Sequence, residues 1–231
     1  MLPIYHFEKA SLLDYPGKVS TVVFLYGCNL RCPYCHNPEL VVEKFDRSKV
    51  ITQKQVLNFL RKRQGKLDGV VITGGEPLIQ KGLLNFIKKI KKLGFLVKLD
   101  SNGLLPDLLD EYIKSGYIDY VAMDVKYPYA QYVIETGKKD VVKLIKKSID
   151  IVMNSGVDYE FRTTYVKGIH DKEAVEEICK MISDAKRYFI QNFRAGKSID
   201  ESLSGKNSFS EKELKEFKKI AKKYVKEVQI R

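Results

Sequence analysis

Short runs of β-branched and aromatic residues alternate with stretches of helical periodicity along most of the chain. Residues 21–26 read as a first strand that runs straight into a cysteine-rich loop. Thr52 and Gln55 form a capping box ahead of Val56, Phe59 and Leu60, which share one helical face. Residues 70–73 form a second strand ending at Gly74-Gly75. Leu83, Phe86, Ile87 and Ile90 then recur at helical spacing and stop at Gly94. A third strand, 95–99, ends in Asp100-Ser101-Asn102-Gly103. Pro106 suits the first turn of the next helix, with Leu109, Tyr112 and Ile113 inside and Gly116 as stop. A fourth strand, 120–123, ends at Asp124-Val125-Lys126. The helix from about Asp140 to Gly156 turns Val142, Ile145, Ile149 and Val152 inward.

Residues 159–164 and 188–193 read as strands five and six, separated by a helix over 175–182 that Asp171 starts. Ser210 and Glu213 open a last amphipathic helix, and 228–231 are a candidate final strand. The polar segment 195–208 is expected to be a mobile loop. Six strands each followed by a helix predict an α/β fold with a parallel sheet. The chain is expected to be one domain, 1–231, with the cysteine loop at 27–40 and the closing helix and strand at about 210–231. Every motif with chemical potential falls at the carboxyl end of a predicted strand, where parallel α/β folds place their sites.

Composition narrows the class. A chain of 231 residues can bury one substantial core. No basic segment followed by an apolar run opens it, and no apolar stretch is long enough to span a bilayer, so a soluble, cytoplasmic protein without a membrane partner is expected. The net charge of +12 comes mostly from lysines on the polar faces of predicted helices, such as Lys88, Lys89, Lys91 and Lys92. No basic-aromatic recognition motif accompanies them, so nucleic acid is not the expected partner; an acidic protein or electron donor suits the charge better. Four cysteines, three of them clustered, make a poor disulfide framework and agree with a reducing compartment.

The cluster is Cys28, Cys32 and Cys35, spaced C-x3-C-x2-C. Soft thiolates at this density call for iron–sulfur or zinc. A structural zinc site wants four ligands, and His36 directly follows Cys35, which suits a shared tetrahedral centre poorly. Three thiolates on a cubane of four irons leave one iron open to a small molecule. Cys179 sits on an apolar helical face with Val175 and Ile182 and reads as a small core residue. The spacing alone leaves the zinc alternative open, including a metal-stabilised module that binds nucleic acid through its lysines.

The cysteine loop with Tyr34 before its last cysteine, joined to Thr73-Gly74-Gly75-Glu76-Pro77, resembles the signature of the radical S-adenosylmethionine (SAM) superfamily. The string Asp14-Tyr15-Pro16-Gly17-Lys18, then Phe24-Leu25-Tyr26-Gly27, then Cys28 to Leu40, is similar to the glycyl-radical-enzyme activating branch, most of all to the anaerobic ribonucleoside-triphosphate reductase activating proteins. The resemblance implies a partial (β/α)6 TIM-like barrel and a [4Fe–4S] cluster on Cys28, Cys32 and Cys35. It also implies that SAM is chelated to the open iron. Reductive cleavage of SAM would give a 5′-deoxyadenosyl radical that takes a hydrogen atom from a glycine of the partner enzyme.

Site roles follow from the same resemblance. Gly74 and Gly75, through the Gly75 carbonyl, and the Glu76 carboxylate would meet the SAM amino group. Asp100 and Asp124 would sit by its carboxylate and help hold a monovalent cation, with Lys126 as a further partner and Asn102 supporting the loop. Arg162 is a candidate for the SAM carboxylate or ribose, and Tyr34 for stacking on adenine. Where better-known relatives carry a His at the end of strand six, this chain has Gln191-Asn192-Phe193. The partners implied are a glycyl radical enzyme, anaerobic ribonucleotide reductase first, and a flavodoxin or ferredoxin-type electron donor. The rival within the superfamily is a small-molecule enzyme like 7-carboxy-7-deazaguanine synthase; the Cys-His-Asn-Pro-Glu-Leu continuation and the Asp14–Lys18 prelude favour the activating branch.

Overall fold

The computed structural model describes residues 2–41, 50–203 and 205–231. Its strands are β1 (Ile4–Ser11), β2 (Ser20–Leu25), β3 (Gly69–Gly74), β4 (Leu96–Ser101), β5 (Tyr120–Asp124), β6 (Asp158–Tyr165), β7 (Arg187–Asn192) and β8 (Glu227–Ile230). The helices are α1 (Gln53–Arg61), α2 (Leu83–Lys92), α3 (Pro106–Lys114), α4 (Tyr129–Thr136), α5 (Val141–Asn154), α6 (Lys172–Met181) and α7 (Glu211–Ala221). The strands lie in one sheet in chain order. β1 runs antiparallel to β2, and every later neighbour is parallel. Among the described residues β8 does not pair with β1, so the barrel is partial. No described helix is long and apolar enough to cross a membrane.

The six anticipated parallel strands are β2 to β7, and β8 extends them. β1 escaped the sequence because it is an edge strand: of Ile4–Ser11 only Ile4 is buried, so no alternation marks it. The short helix α4 was also unforeseen, although Gly137 in the left-handed conformation ends it. Both capping boxes form, Thr52 with Gln55 and Ser210 with Glu213. Asp171 caps α6 by accepting from the Ala174 N–H. On α5 it is Val141, rather than Val142, that is fully buried.

Strand alternation gives the sheet two different faces. Val70, Ile72, Val97, Leu99, Val121, Met123 and Phe161 pack outward under Phe86, Ile90, Ile145 and Ile149 of the helices. Each such residue contributes ~1.5–3 kcal/mol by leaving water. The alternate positions face the barrel interior. At its floor a small cluster of Tyr15, Val22, Val71 and Tyr120 closes the lumen. Above that floor the inward positions are charged: Lys98 and Asp100 on β4, Asp124 on β5, Glu160 and Arg162 on β6. The outer layer supplies stability, and the inner positions are reserved for polar chemistry.

Candidate active site

A cavity of about 420 Å³ opens at the carboxyl ends of the strands. Cys28, Cys32 and Cys35 line one side; Gly74, Gly75, Asp100, Asn102, Asp124, Lys126 and Arg162 line the other. The fold therefore brings eleven of the twelve anticipated site residues, Tyr34 among them, to one cavity, and leaves only Glu76 outside its lining.

The cysteine loop is closed at its base. Gly27 N–H donates to the Leu40 carbonyl (2.8 Å), and the Arg31 guanidinium donates to the Val41 carbonyl. Within the loop Cys35 N–H donates to Cys32 O (3.0 Å) and Leu30 N–H reaches the Cys28 sulfur (3.4 Å). Asn102, from the end of β4, donates to Asn29 Oδ1 (2.7 Å) and lies 3.8 Å from the Cys28 sulfur, so it fastens the cysteine loop to the barrel. The segment expected to be mobile is instead tied to this loop. Asp200 N–H donates to the Pro33 carbonyl (2.9 Å), and His36 stacks on Phe193 with its Nε2 3.1 Å from the Arg194 carbonyl.

Gly74 and Gly75 line the cavity and are also required by backbone crowding. A Cβ at Gly74 would run into the Leu25 backbone, and one at Gly75 into the Gly27 carbonyl. Gly74 also takes φ +123°, open to glycine only. The close passage lets Gly75 N–H donate to Leu25 O (2.9 Å) and Glu76 N–H to Gly27 O (2.8 Å), which sets the cysteine loop against the end of β3. Glu76 lies just behind the cavity lining. Its side chain is 1% exposed. It accepts from Asn102 N–H (2.7 Å), Ser101 Oγ (3.1 Å) and Leu78 N–H (3.2 Å). The carboxylate is a latch between two strand-end loops, and burial, against those hydrogen bonds, pushes its pKa up to about 7.

The wall facing the thiols is a buried ionic network. Arg162 Nε donates to Asp124 (2.7 Å), and its NH1 to Asp100 (3.1 Å). Lys98 Nζ donates to Asp100 (2.6 Å), and Lys126 Nζ to Asp124 (3.2 Å). Behind them Glu160, fully buried, accepts from the Tyr120 hydroxyl (2.9 Å) and pairs with Arg231 (3.3 Å). Burial alone would raise Asp100 and Asp124. Arg162, helped by Lys98 at Asp100 and by Lys126 at Asp124, more than offsets that and holds both carboxyls below the usual range. Burial likewise disfavours the Lys126 ammonium, but Asp124 and the nearby thiols keep it charged. The position between the two Asp carboxylates, where a monovalent cation was expected, is bridged by a guanidinium. Arg162 is thus the centre of the network while still lining the cavity.

Lys98 and Glu160 were missed, and the sequence carried a signal for them. A charge two residues before a strand-end charge lies on the same face, so Lys98-x-Asp100 and Glu160-x-Arg162 mark inward ionic pairs. Asp14, quoted only as part of a motif, lines the cavity, as do Thr164 and Gln191. Tyr34 is 4% exposed, edge-on to Tyr127 and His170, with its hydroxyl donating to the Lys126 carbonyl (3.3 Å). It is built into the wall.

The donor set fits an iron–sulfur cluster. Three soft thiols share the cavity, Cys179 is buried in the core, and the His36 ring is engaged by Phe193 and Arg194. Among the described residues no three His, Cys, Asp or Glu side chains converge on a single metal ion. Burial pushes the Cys28 thiol up to about 11 and raises Cys32, against the pull of Lys126 on both. Protons on these sulfurs must be displaced on metal binding, and Lys126 offers the compensating charge.

The model of the Radical SAM superfamily matches residues 22–182. A Methanocaldococcus jannaschii protein named as a glycyl-radical enzyme activating enzyme is 40% identical over 230 residues, covering 96% of this chain and 92% of its own. The pyruvate formate-lyase-activating enzyme of Clostridium pasteurianum is 29% identical over 246 residues, covering 97% of each chain. Among solved structures, Streptococcus suis SuiB bound to S-adenosylmethionine superposes with a TM-score of 0.67 at 15% identity, over 91% of this chain and 51% of that one. This chain therefore spans about half the length of SuiB, and that likeness concerns the fold.

Proposed function

Because the chain belongs to the radical SAM superfamily, we propose that it is an activase that removes a hydrogen atom from a glycine of a partner glycyl radical enzyme, with anaerobic ribonucleotide reductase as the first candidate. Cys28, Cys32 and Cys35 would hold a [4Fe–4S] cluster, with SAM beside it. The observation that carries the reading is the pairing of three thiols with the Asp100–Arg162–Asp124–Lys126 wall across one cavity. When bound, cluster and SAM together supply reductive cleavage of the sulfonium and a carbon radical that accepts the hydrogen atom.

This chain's residues provide position and charge. Arg162 and Lys126 present cations toward a ligand carboxylate, while Asp100 and Asp124 keep those cations charged and fixed. The Gly75 carbonyl and the Asp14 and Asp124 carboxylates are acceptors for an ammonium group. Glu76 and Asn102 hold the loops that carry these groups in register. The interior charges are shielded from water by the aromatic wall of Tyr34, Tyr127 and Tyr132. A macromolecular substrate is supported by Leu12 and Leu13, 75% and 80% exposed on the hairpin that carries Asp14. A single domain spanning 1–231 and a flavodoxin or ferredoxin-type donor complete the reading.

The test is anaerobic reconstitution with iron and sulfide, then reduction with SAM and assay of 5′-deoxyadenosine. About four irons per chain and nucleoside release are expected, and addition of the partner should give a glycine-centred radical by electron paramagnetic resonance. Cys32→Ala should abolish nucleoside release and leave the far-ultraviolet spectrum unchanged. One zinc per chain, or release persisting in Cys32→Ala, refutes the reading. Release with no radical on any glycyl radical enzyme favours the small-molecule rival.

A further inference from the structure

Tyr127 follows Lys126 just past β5 and is held from several sides. Its ring is edge-on to Tyr132 (5.5 Å between centroids, 89°) and to Tyr34 (5.8 Å, 72°), and it stacks on His170 (5.7 Å, 15°). The backbone before it is fixed as firmly. Lys126 N–H donates to the Tyr132 hydroxyl (2.8 Å). Val166 N–H donates to His170 Nδ1, so Nε2 carries the proton that goes to the Lys126 carbonyl (2.8 Å). The ring therefore has little freedom to swing. Yet its hydroxyl is fully buried and makes no hydrogen bond of ordinary geometry among the described residues, only looser approaches to its polar neighbours.

A buried hydroxyl without a well-formed hydrogen bond is costly, and such groups are rare enough in folded proteins to need a reason. Two polar groups stand beside it: the Tyr34 hydroxyl, whose own proton goes to the Lys126 carbonyl, and the sulfur of Cys32. A protonated thiol is a weak acceptor. A thiolate is a much stronger one. Cys28 already receives the Leu30 N–H and approaches the Asn102 amide.

We infer that the Tyr127 hydroxyl donates a hydrogen bond to the Cys32 sulfur when that sulfur ligates the cluster, and that this bond raises the reduction potential of the centre. The inference rests on the cluster-binding reading above. A donor aimed at a ligand sulfur stabilises the more negative, reduced state more than the oxidised one, and hydrogen bonds to sulfur are among the determinants of cluster potentials. Tyr127 is in this sense a tuning residue that touches a ligand rather than the substrate.

The experiment is a redox titration of reconstituted Tyr127→Phe, followed by electron paramagnetic resonance, beside the wild type and Tyr34→Phe. Tyr127→Phe is expected to hold wild-type iron and sulfide and to be about tenfold harder to reduce. At the wild-type midpoint only about a tenth of it is then reduced, a shift of about 59 mV to the negative for one electron. Tyr34→Phe should keep the wild-type midpoint. An unchanged midpoint in Tyr127→Phe, or an equal shift in Tyr34→Phe, overturns the inference. Replacing Tyr127 by 3-fluorotyrosine keeps the ring packing and sharpens the donor; it should move the midpoint positive, and no rise overturns the inference even where the Phe variant loads poorly. A wild type that takes up no cluster is a different failure, that of the proposed function.

Discussion

Removing the guanidinium at the centre of the barrel tests whether the ionic wall is built as described. Arg162→Met keeps most of the side-chain volume and deletes the charge that bridges Asp124 at 2.7 Å and Asp100 at 3.1 Å, with Glu160 at 4.0 Å. Asp100 retains Lys98 and Asp124 retains Lys126, so neither carboxylate is stranded. The loss of one partner from a buried ionic network costs about 3–5 kcal/mol, and the remaining lysines put this case near 3. For a chain of this size that is a fall in Tm of roughly 6–12 °C. The pH dependence is the sharper readout. Arg162 holds both Asp pKa values below the unfolded value of about 3.9, so the stability they contribute is present above that value and is lost as pH falls through the folded ones. The deficit of Arg162→Met should therefore be full at pH 7 and shrink below about pH 4. Urea unfolding of the metal-free protein at pH 7, 5 and 3.5, followed by circular dichroism, measures it. A deficit under about 1 kcal/mol, or one of equal size at pH 3.5 and pH 7, would refute the reasoning. Asp124→Asn combined with Arg162→Met should cost less than the sum of the two.

Two further predictions concern the latch and the hairpin. Glu76 keeps its proton in the folded chain up to about pH 7, against 4.5 in the unfolded one. Its contribution is complete below 4.5 and is lost as pH rises through 7, so Glu76→Gln should remove a decline of roughly 3 kcal/mol across that window; identical pH profiles for the two proteins would count against it. Replacing Leu12 and Leu13 by serine should raise KM for the protein substrate several-fold and leave partner-free SAM cleavage at the wild-type rate, because both side chains are exposed and outside the cavity lining. Equal KM values, read from the rate of glycyl radical formation, would remove these leucines from the docking surface.

The parallel strands and their helices were legible because each carries a local physical signal. Strands β3 and β5 are largely apolar runs buried on both faces, and the partners within each capping box sit three residues apart in the sequence. β1 was not legible, since an exposed edge strand needs no alternation, and α4 is too short for its periodicity to stand out. The loop 195–208 looked mobile from its composition. Its anchor at the Pro33 carbonyl is a backbone contact between distant segments, invisible to any residue-by-residue reading.

The candidate site divides in the same way. C-x3-C-x2-C and the strand-end glycines and acids name their chemistry by type and spacing, so the sequence alone determined the three thiols, the cavity's place at the strand ends and the superfamily. Only the tertiary structure decided what each polar group does once there. It made Glu76 a buried latch, put Arg162 between Asp100 and Asp124, drew Lys98 and Glu160 beneath them, and left the Tyr127 hydroxyl without a well-formed hydrogen bond beside Cys32. Ligand type and spacing are local properties of the chain, whereas the pairing of buried charges is set by which strands become neighbours and in what register, and that is fixed only when the sheet closes around them.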